Sequence, residues 1–471
     1  MENHTLTAAY AAAARLSHAG KLEEALVLLE PYLSDLNANA DANANIKLSD
    51  EFHSALLLLA SLYLDMEKLS ASEKLLTAAL STATTAQAVD LHLLRGNLYD
   101  VRGHVRKAAT ERDAALQAAQ SLDEPIRLLV QVLCSQASND FEAAYKLALE
   151  GIAVGSTTHP HQTVRFQHLA AFAAYNTGRY EDALLWVTKT IVHPQANRSQ
   201  QTDCLRLKSL CVSLEGRHDE GLEHLKAATY MARTGVSWEY ATHLALDTVR
   251  RLLLLGRLTD ADELAAEVLT RFPTTNREIS FLRANIALTR GELDQAHEAL
   301  NTATRPSKRP GSRELLIVAL AREEGRYPEA LSALENLIQH ATCAPLLYQL
   351  RLQRSPILLK CGQTSEAEKE QTELTSQFTE SLPREIQAAF YRMEAKLAYL
   401  REDWATGIAK WKQVLRLEPH PINQPENWTL LGDGYAQLGE SAAAHFAWDR
   451  AAAQPMESIW VRRAKERREA S

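Results

Sequence analysis

The sequence predicts an all-α protein, an α-solenoid of about twelve stacked helix–turn–helix pairs, on three observations. The 471 residues are rich in Ala and Leu and only 6% aromatic, a composition that favours helix. A helix-stopping residue followed five positions later by a small one recurs twelve times along the chain. Successive recurrences stand 34 to 47 residues apart, the spacing at which internal repeats mean stacked supersecondary units.

Each recurrence marks one pair. In order they are Gly20 with Ala25, Glu67 with Ser72, Gly103 with Ala108, Asn139 with Ala144, Gly178 with Ala183 and Gly216 with Gly221. The second half continues with Gly256 and Ala261, Gly291 and Ala296, Gly325 and Ala330, Gly362 and Ala367, Glu402 and Gly407, and Gly439 and Ala444. Six read almost as one phrase: "GKLEEA", "GRYEDA", "GRLTDA", "GELDQA", "GRYPEA" and "GESAAA".

Glycine holds nine of the twelve first positions, where a helix that ends in the left-handed conformation favours a residue without Cβ. Asn139 is the next best choice there. The second positions are nine Ala, two Gly and one Ser, so two helix backbones are expected to cross closely at each. Acidic residues crowd the stretch between, as at Glu181, Asp182, Asp219, Glu220, Asp260 and Asp262. Near the positive end of a second helix they read as dipole partners, not as acid–base pairs. Pro328 suits the same stretch, since a first-turn position needs no amide hydrogen.

Helices of about a dozen residues are marginal alone in water, so neighbouring pairs are expected to complete one another's core. The long first spacing is explained by "NANADANANIK", Asn37 to Lys47, read as a mobile insert, and "RPSKRPGSR", Arg305 to Arg313, is read as a second break. The expected organisation is a solenoid over residues 1–456 and a basic C-terminal capping helix or tail over 457–471. Trp460 would be its buried anchor, with Arg462, Arg463, Lys465, Arg467 and Arg468 as a solvated face.

Net charge is -8, with 51 Lys and Arg against 59 Asp and Glu, which opposes bulk attraction to nucleic acid or anionic lipid. No apolar stretch is long enough to span a bilayer, and the start has no basic n-region. Five scattered cysteines form no C-x-x-C pair, as suits a reducing compartment, so the expected location is cytoplasmic. Cys204 and Cys211, seven apart, would share a helix face and serve core packing.

Motifs for chemistry are lacking. "GYAQLGES" has phosphate-loop glycine spacing but places Glu440 where the lysine belongs. "HPH" at His159 to His161 has no nearby Cys or carboxylate to complete a metal site, and "HDEGLEH", His218 to His224, is read as spanning a turn. No H-E-x-x-H or G-x-S-x-G is present, and neither enzyme activity nor a cofactor is expected.

The units resemble tetratricopeptide repeats (TPRs). The signature is carried by Trp428-x2-Leu431-Gly432-x2-Tyr435, then Ala444-x3-Trp448 and Pro455. "RFPTTNRE" and "RLEPHPINQPEN", with Pro273 and Pro419, are similar to inter-repeat links. The resemblance covers roughly residues 5 to 456 and implies a right-handed superhelix whose first helices line a concave groove. Counting back from each turn, it implies inward positions for Arg165, His168, Phe172, Tyr175, Asn176, Arg206, His243 and Arg250. Arg322, Arg392 and Lys396 follow in the last units, and Asn97 and Asn285 add amides.

Arginine forks and aromatic plates suit an extended acidic peptide; alternatively the arginines pair with Asp203, Asp247 and Glu278. No Lys or Arg is followed four residues later by Asn, which argues against the family's carboxylate clamp for chaperone tails. The leading expectation is a non-catalytic protein-interaction scaffold. The alternatives are a sensor whose groove takes a peptide or small ligand and signals to a separate effector, and an RNA-binding helical repeat.

Overall fold

The computed structural model describes residues 6–18, 21–38, 49–66, 68–158, 160–234, 238–271, 276–302, 312–341, 344–380, 382–418 and 420–470. Among these there are 25 α-helices and no strand. The chain divides into two compact units, Met1–Leu244 and Ala245–Ser471.

The first unit contains α1 (Leu6–His18) and α2 (Leu22–Ala38), α3 (Asp50–Asp65) and α4 (Leu69–Leu80), and α5 (Thr85–Val101) and α6 (Val105–Ala119). Then come α7 (Glu124–Ala137) and α8 (Phe141–Thr158), α9 (Pro160–Asn176) and α10 (Tyr180–Ile191), and α11 (Arg198–Leu214) and α12 (His218–Arg233). The unit boundary falls within α13 (Trp238–Leu254), which is followed by α14 (Leu258–Arg271).

The second unit continues with α15 (Asn276–Arg290) and α16 (Leu293–Thr302), α17 (Ser312–Glu323) and α18 (Tyr327–Gln339), and α19 (Ala344–Lys360) and α20 (Thr364–Gln377). It ends with α21 (Arg384–Leu400) and α22 (Trp404–Leu417), α23 (Gln424–Gln437) and α24 (Ser441–Ala452), and a further helix, α25 (Ile459–Ala470). The pairs are thus twelve, as the recurrence predicts.

The turns explain why each pair folds. All ten described residues with positive φ are predicted turn positions: eight glycines, Asn139 at 59° and Glu402 at 60°. Gly20 and Glu67 lie outside the described residues. In every one of the twelve turns the amide after the stop reaches back to a carbonyl of the first helix, from Lys21 N to Leu16 O at 2.9 Å through Glu440 N to Tyr435 O at 2.9 Å. This six-to-one bond satisfies a carbonyl that the helix end would otherwise leave open.

The small residue then decides how closely the helices approach. Ala25, Ser72, Ala108, Ala144, Ala183, Gly221, Ala261, Ala296, Ala330, Ala367, Gly407 and Ala444 are all buried. A Cβ on Gly221 would run into the Ser213 hydroxyl and stand 2.9 Å from the Ser209 carbonyl. One on Gly407 would overlap the ring of Tyr399. Ser72 avoids the same problem by donating its hydroxyl to Ala60 O at 3.1 Å.

Core formation runs from pair to pair. Ala13, Ala25 and Leu29 of the first pair share one cluster with Leu56, Leu59 and Leu76 of the second and Leu91 and Leu98 of the third. Each fully buried leucine of this kind contributes roughly 1.5–3 kcal/mol relative to exposure. Capping boxes at Thr84 with Gln87 and at Asn197 with Gln200 fix where α5 and α11 begin.

Local expectations are met and missed. Pro328 lies in the first turn of α18, and Cys204 and Cys211 are both buried on α11. His218 and His224 do not span a turn: both lie on α12, because the helix begins directly after the stop at Gly216. Trp460 is half-buried, with the Arg463 guanidinium 4.5 Å above its ring, and so is not the buried anchor. The buried residues of that segment are Met456, Ser458, Val461 and Ala464. Residues 39–47 and 305–311 of the two breaks, Pro273, Pro419, Cys343 and His159 lie outside the described residues.

Candidate peptide-binding faces

In the first unit, Arg165, His168, Phe172, Tyr175 and Asn176 lie on one strip of α9, as a spacing of three and four requires. His168 Nε2 lies 3.2 Å from Asp203 Oδ2 on α11, and the Tyr240 hydroxyl of α13 donates to Asp203 Oδ1. Asp203 thereby ties three successive first helices together. Burial pushes its carboxyl up, but hydrogen bonds from His168 and Tyr240, with the charges of His168 and Arg206, hold it below the ordinary value.

Phe172 and Tyr175 are half-buried and pack on a cluster containing Ala171, Val187, Cys204 and Leu207. Phe172 meets the edge of Phe141 with ring centres 6.0 Å apart. Asn176 is exposed and donates to Phe172 O of its own helix at 2.8 Å.

Arg165 is exposed and forms no hydrogen bond or ion pair among the described residues. Protein nevertheless crowds round it: burial pushes its guanidinium below the ordinary value, while the charge of Asp90 on α5 favours the protonated form. Asp90 itself lies 3.3 Å from His53 Nε2. Asn97 and His243 are exposed.

The second unit holds the remaining candidates. Arg250 donates to Asp247 at 2.6 Å on its own helix, and Asn285 donates to Phe281 O at 3.0 Å. Arg322, Arg392 and Lys396 converge electrostatically on Glu426 of α23. Lys396 Nζ lies 2.8 Å from Glu426 Oε1, Arg392 donates to Glu418, and Arg322 lies 3.7 Å from Glu323. Burial pushes the Glu426 carboxyl up, but Lys396, Arg322 and Arg392 outweigh it and hold it at about 2. Burial pushes Lys396 down against the attraction of the same carboxylate.

The structure therefore brings His168 and Arg206 together round Asp203, and Arg322, Arg392 and Lys396 together round Glu426. It gives Asn97 and Asn285 no share in either cluster. Sequence reasoning missed Asp90, Tyr240, Glu418 and Glu426, and treated Asp203 only as a countercharge. The signal was available, because Asp90, Asp203 and Glu426 each stand thirteen residues before their turn positions Gly103, Gly216 and Gly439. Arg165 occupies the same register before Gly178.

Other features have packing explanations. A Cβ on Gly434 would overlap the Tyr399 hydroxyl, which donates to Leu430 O at 2.9 Å, and one on Gly432 would collide with the indole of Trp448. Trp448 Nε1 donates to Asp433 at 3.1 Å. The glycine pair thus accommodates two rings. Among the described residues no group of three or more His, Cys, Asp or Glu is placed to hold a metal ion.

Left-handed stops and small crossings, repeated through twelve helix pairs, define a TPR-like helical repeat fold. No family model matches the chain, and no curated protein matches it. Among solved structures it is similar to a Rap protein complexed with Competence and Sporulation Factor, at 12% identity over 78% of this chain and 99% of that one, TM-score 0.43. A chain of the APC/C hetero-tetramer Cut9–Hcn1 is 14% identical over 98% of this chain and 90% of that one, TM-score 0.42. The human IFIT1 dimer with m7Gppp-AAAA is 14% identical over 89% and 94%, TM-score 0.38. These likenesses transfer no ligand, partner or activity to this chain. Among the described residues no helix is long and apolar enough to cross a membrane.

Proposed function

We propose that the chain is a non-catalytic, cytoplasmic interaction scaffold that holds an extended or helical segment of a partner protein against the inner faces of its first helices. The observation that carries this reading is Arg165, an exposed guanidinium without an ion-pair partner among the described residues in a crowded setting. Further along the same strip of α9 lie His168, paired with Asp203, and the half-buried rings of Phe172 and Tyr175. A guanidinium already partly desolvated has less hydration to lose when it takes a carboxylate, so an acidic side chain on the partner fits here.

RNA binding is less well supported. Arg250, Arg392 and Lys396 already have carboxylate partners, and phosphates would have to displace them. The test is affinity capture from the native cell with the wild-type chain and an Arg165→Glu/Arg206→Glu variant, with and without nuclease. The expected result is a protein that survives nuclease on the wild type and is lost from the variant at unchanged helicity. Equal capture by both chains overturns the assignment of the site, and nuclease-sensitive capture overturns the assignment of the partner class.

A further inference from the structure

The segment Met456–Arg468 reaches two turns and one further helix end of the second unit that lie far before it in sequence. Buried Met456 covers the turn at Gly256, where a Cβ would stand 2.9 Å from its Sδ. Ile459 and Arg462 cover the turn at Gly291, where a Cβ would meet Ile459 Cβ at 3.0 Å and Arg462 Nη2 at 2.9 Å. Arg462 also donates to the carbonyl of Arg290, the last residue of α15. Arg463 lies 3.4 Å from the carboxylate of Glu323, the last residue of α17.

The same segment is fixed to the end of the unit from its other side. Val461 and Ala464 are buried, Arg467 lies 3.2 Å from Asp433, and Arg468 lies 3.4 Å from Asp449. None of the other described glycine turns is covered in this way: Gly103, Gly178, Gly216, Gly325, Gly362 and Gly439 have nothing within 4 Å of a Cβ built on them. The chemistry fits the place. A helix ends in open carbonyls and a partial negative charge, which favour a guanidinium, and a turn glycine leaves a shallow seat for an apolar side chain.

We infer that the turns at Gly256 and Gly291, with the helix end at Glu323, form a docking surface for an apolar-then-basic segment, and that Met456–Arg468 is its resident occupant. Seated there, the segment joins the last pair of the second unit to its first pairs and holds that unit closed. Its release frees the turns.

The test is hydrogen exchange read by mass spectrometry on the full chain carrying Met456→Glu, Arg462→Ala and Arg463→Ala. The turns at 253–258 and 288–293 are expected to exchange about ten-fold faster, while those around Gly178, Gly216 and Gly362 hold their wild-type rates. A synthetic peptide of residues 454–470, added in trans, is expected to restore protection. Unchanged exchange at both turns overturns the inference, as does an equal rise at Gly178 and Gly216, which would mean general loosening. Should the triple variant fail to fold, Met456→Ala alone is expected to loosen the Gly256 turn more than the Gly291 turn; equal protection of both, as in the wild type, overturns the inference.

Discussion

Glu426 sits among three cations, and its low protonation range makes it a source of acid sensitivity. Its folded value, about 2, lies below the roughly 4.3 of an unfolded glutamate. Its contribution is therefore complete above about pH 4.3 and is lost as pH falls towards 2. Glu426→Gln leaves Lys396 half-buried without its partner and is expected to cost roughly 3 kcal/mol at pH 7. In urea melts at pH 7, 5 and 3, the gap between variant and wild type should narrow with acidity; a constant gap rejects the assignment.

The thiols divide by environment. Burial pushes Cys134 and Cys211 up to about 11 and Cys204 up to about 12, so almost no thiolate is available at neutral pH. Cys361 is half-exposed on the edge of its pair. Alkylation of the native protein, mapped by mass spectrometry, should label Cys361 while Cys134, Cys204 and Cys211 stay protected until unfolding. Early labelling of Cys204 would contradict the packing of α11.

At the scale of the element, the turn is the part of the fold most legible in the sequence, because backbone conformation restricts residue choice there. Glu402 is the exception, neither Gly nor Asn yet held at φ 60°, where strain of about 1 kcal/mol is expected. Glu402→Gly should raise the thermal midpoint, and a lowered midpoint would mean that the side chain has a compensating contact. Gly407→Ala should act oppositely, since its new methyl would overlap Tyr399; overpacking of this kind costs about 1–3 kcal/mol in a denaturant melt. A stability change within error would show that Tyr399 has room to move.

The candidate binding faces are less legible. Counting back from the stop locates positions, but it does not say which of them find partners on the neighbouring helix. His168 was visible, whereas Tyr240, two pairs' first helices away and outside that register, was not. Trp460 failed for a related reason: an indole packs equally well against an aliphatic wall or beneath a guanidinium, and composition does not choose between them.

For the molecule as a whole, a stack of pairs has stability that is nearly a sum of pair and neighbour contributions. Gly221 and Gly407 belong to different units and touch different residues, Ser209 and Ser213 in one case and Tyr399 and Ala395 in the other. Gly221→Ala and Gly407→Ala should therefore add within about 0.5 kcal/mol when combined. A larger departure in denaturant melts would reveal coupling between the units.

The uncovered turns also mark where this architecture tolerates growth. A corner whose glycine faces open space can take extra residues at a modest cost in closure entropy, which rises only slowly with length. Epitopes, fluorophores or whole inserted modules are best placed at Gly103, Gly178, Gly216 or Gly362. At Gly256 and Gly291 the same graft would unseat Met456 and Ile459.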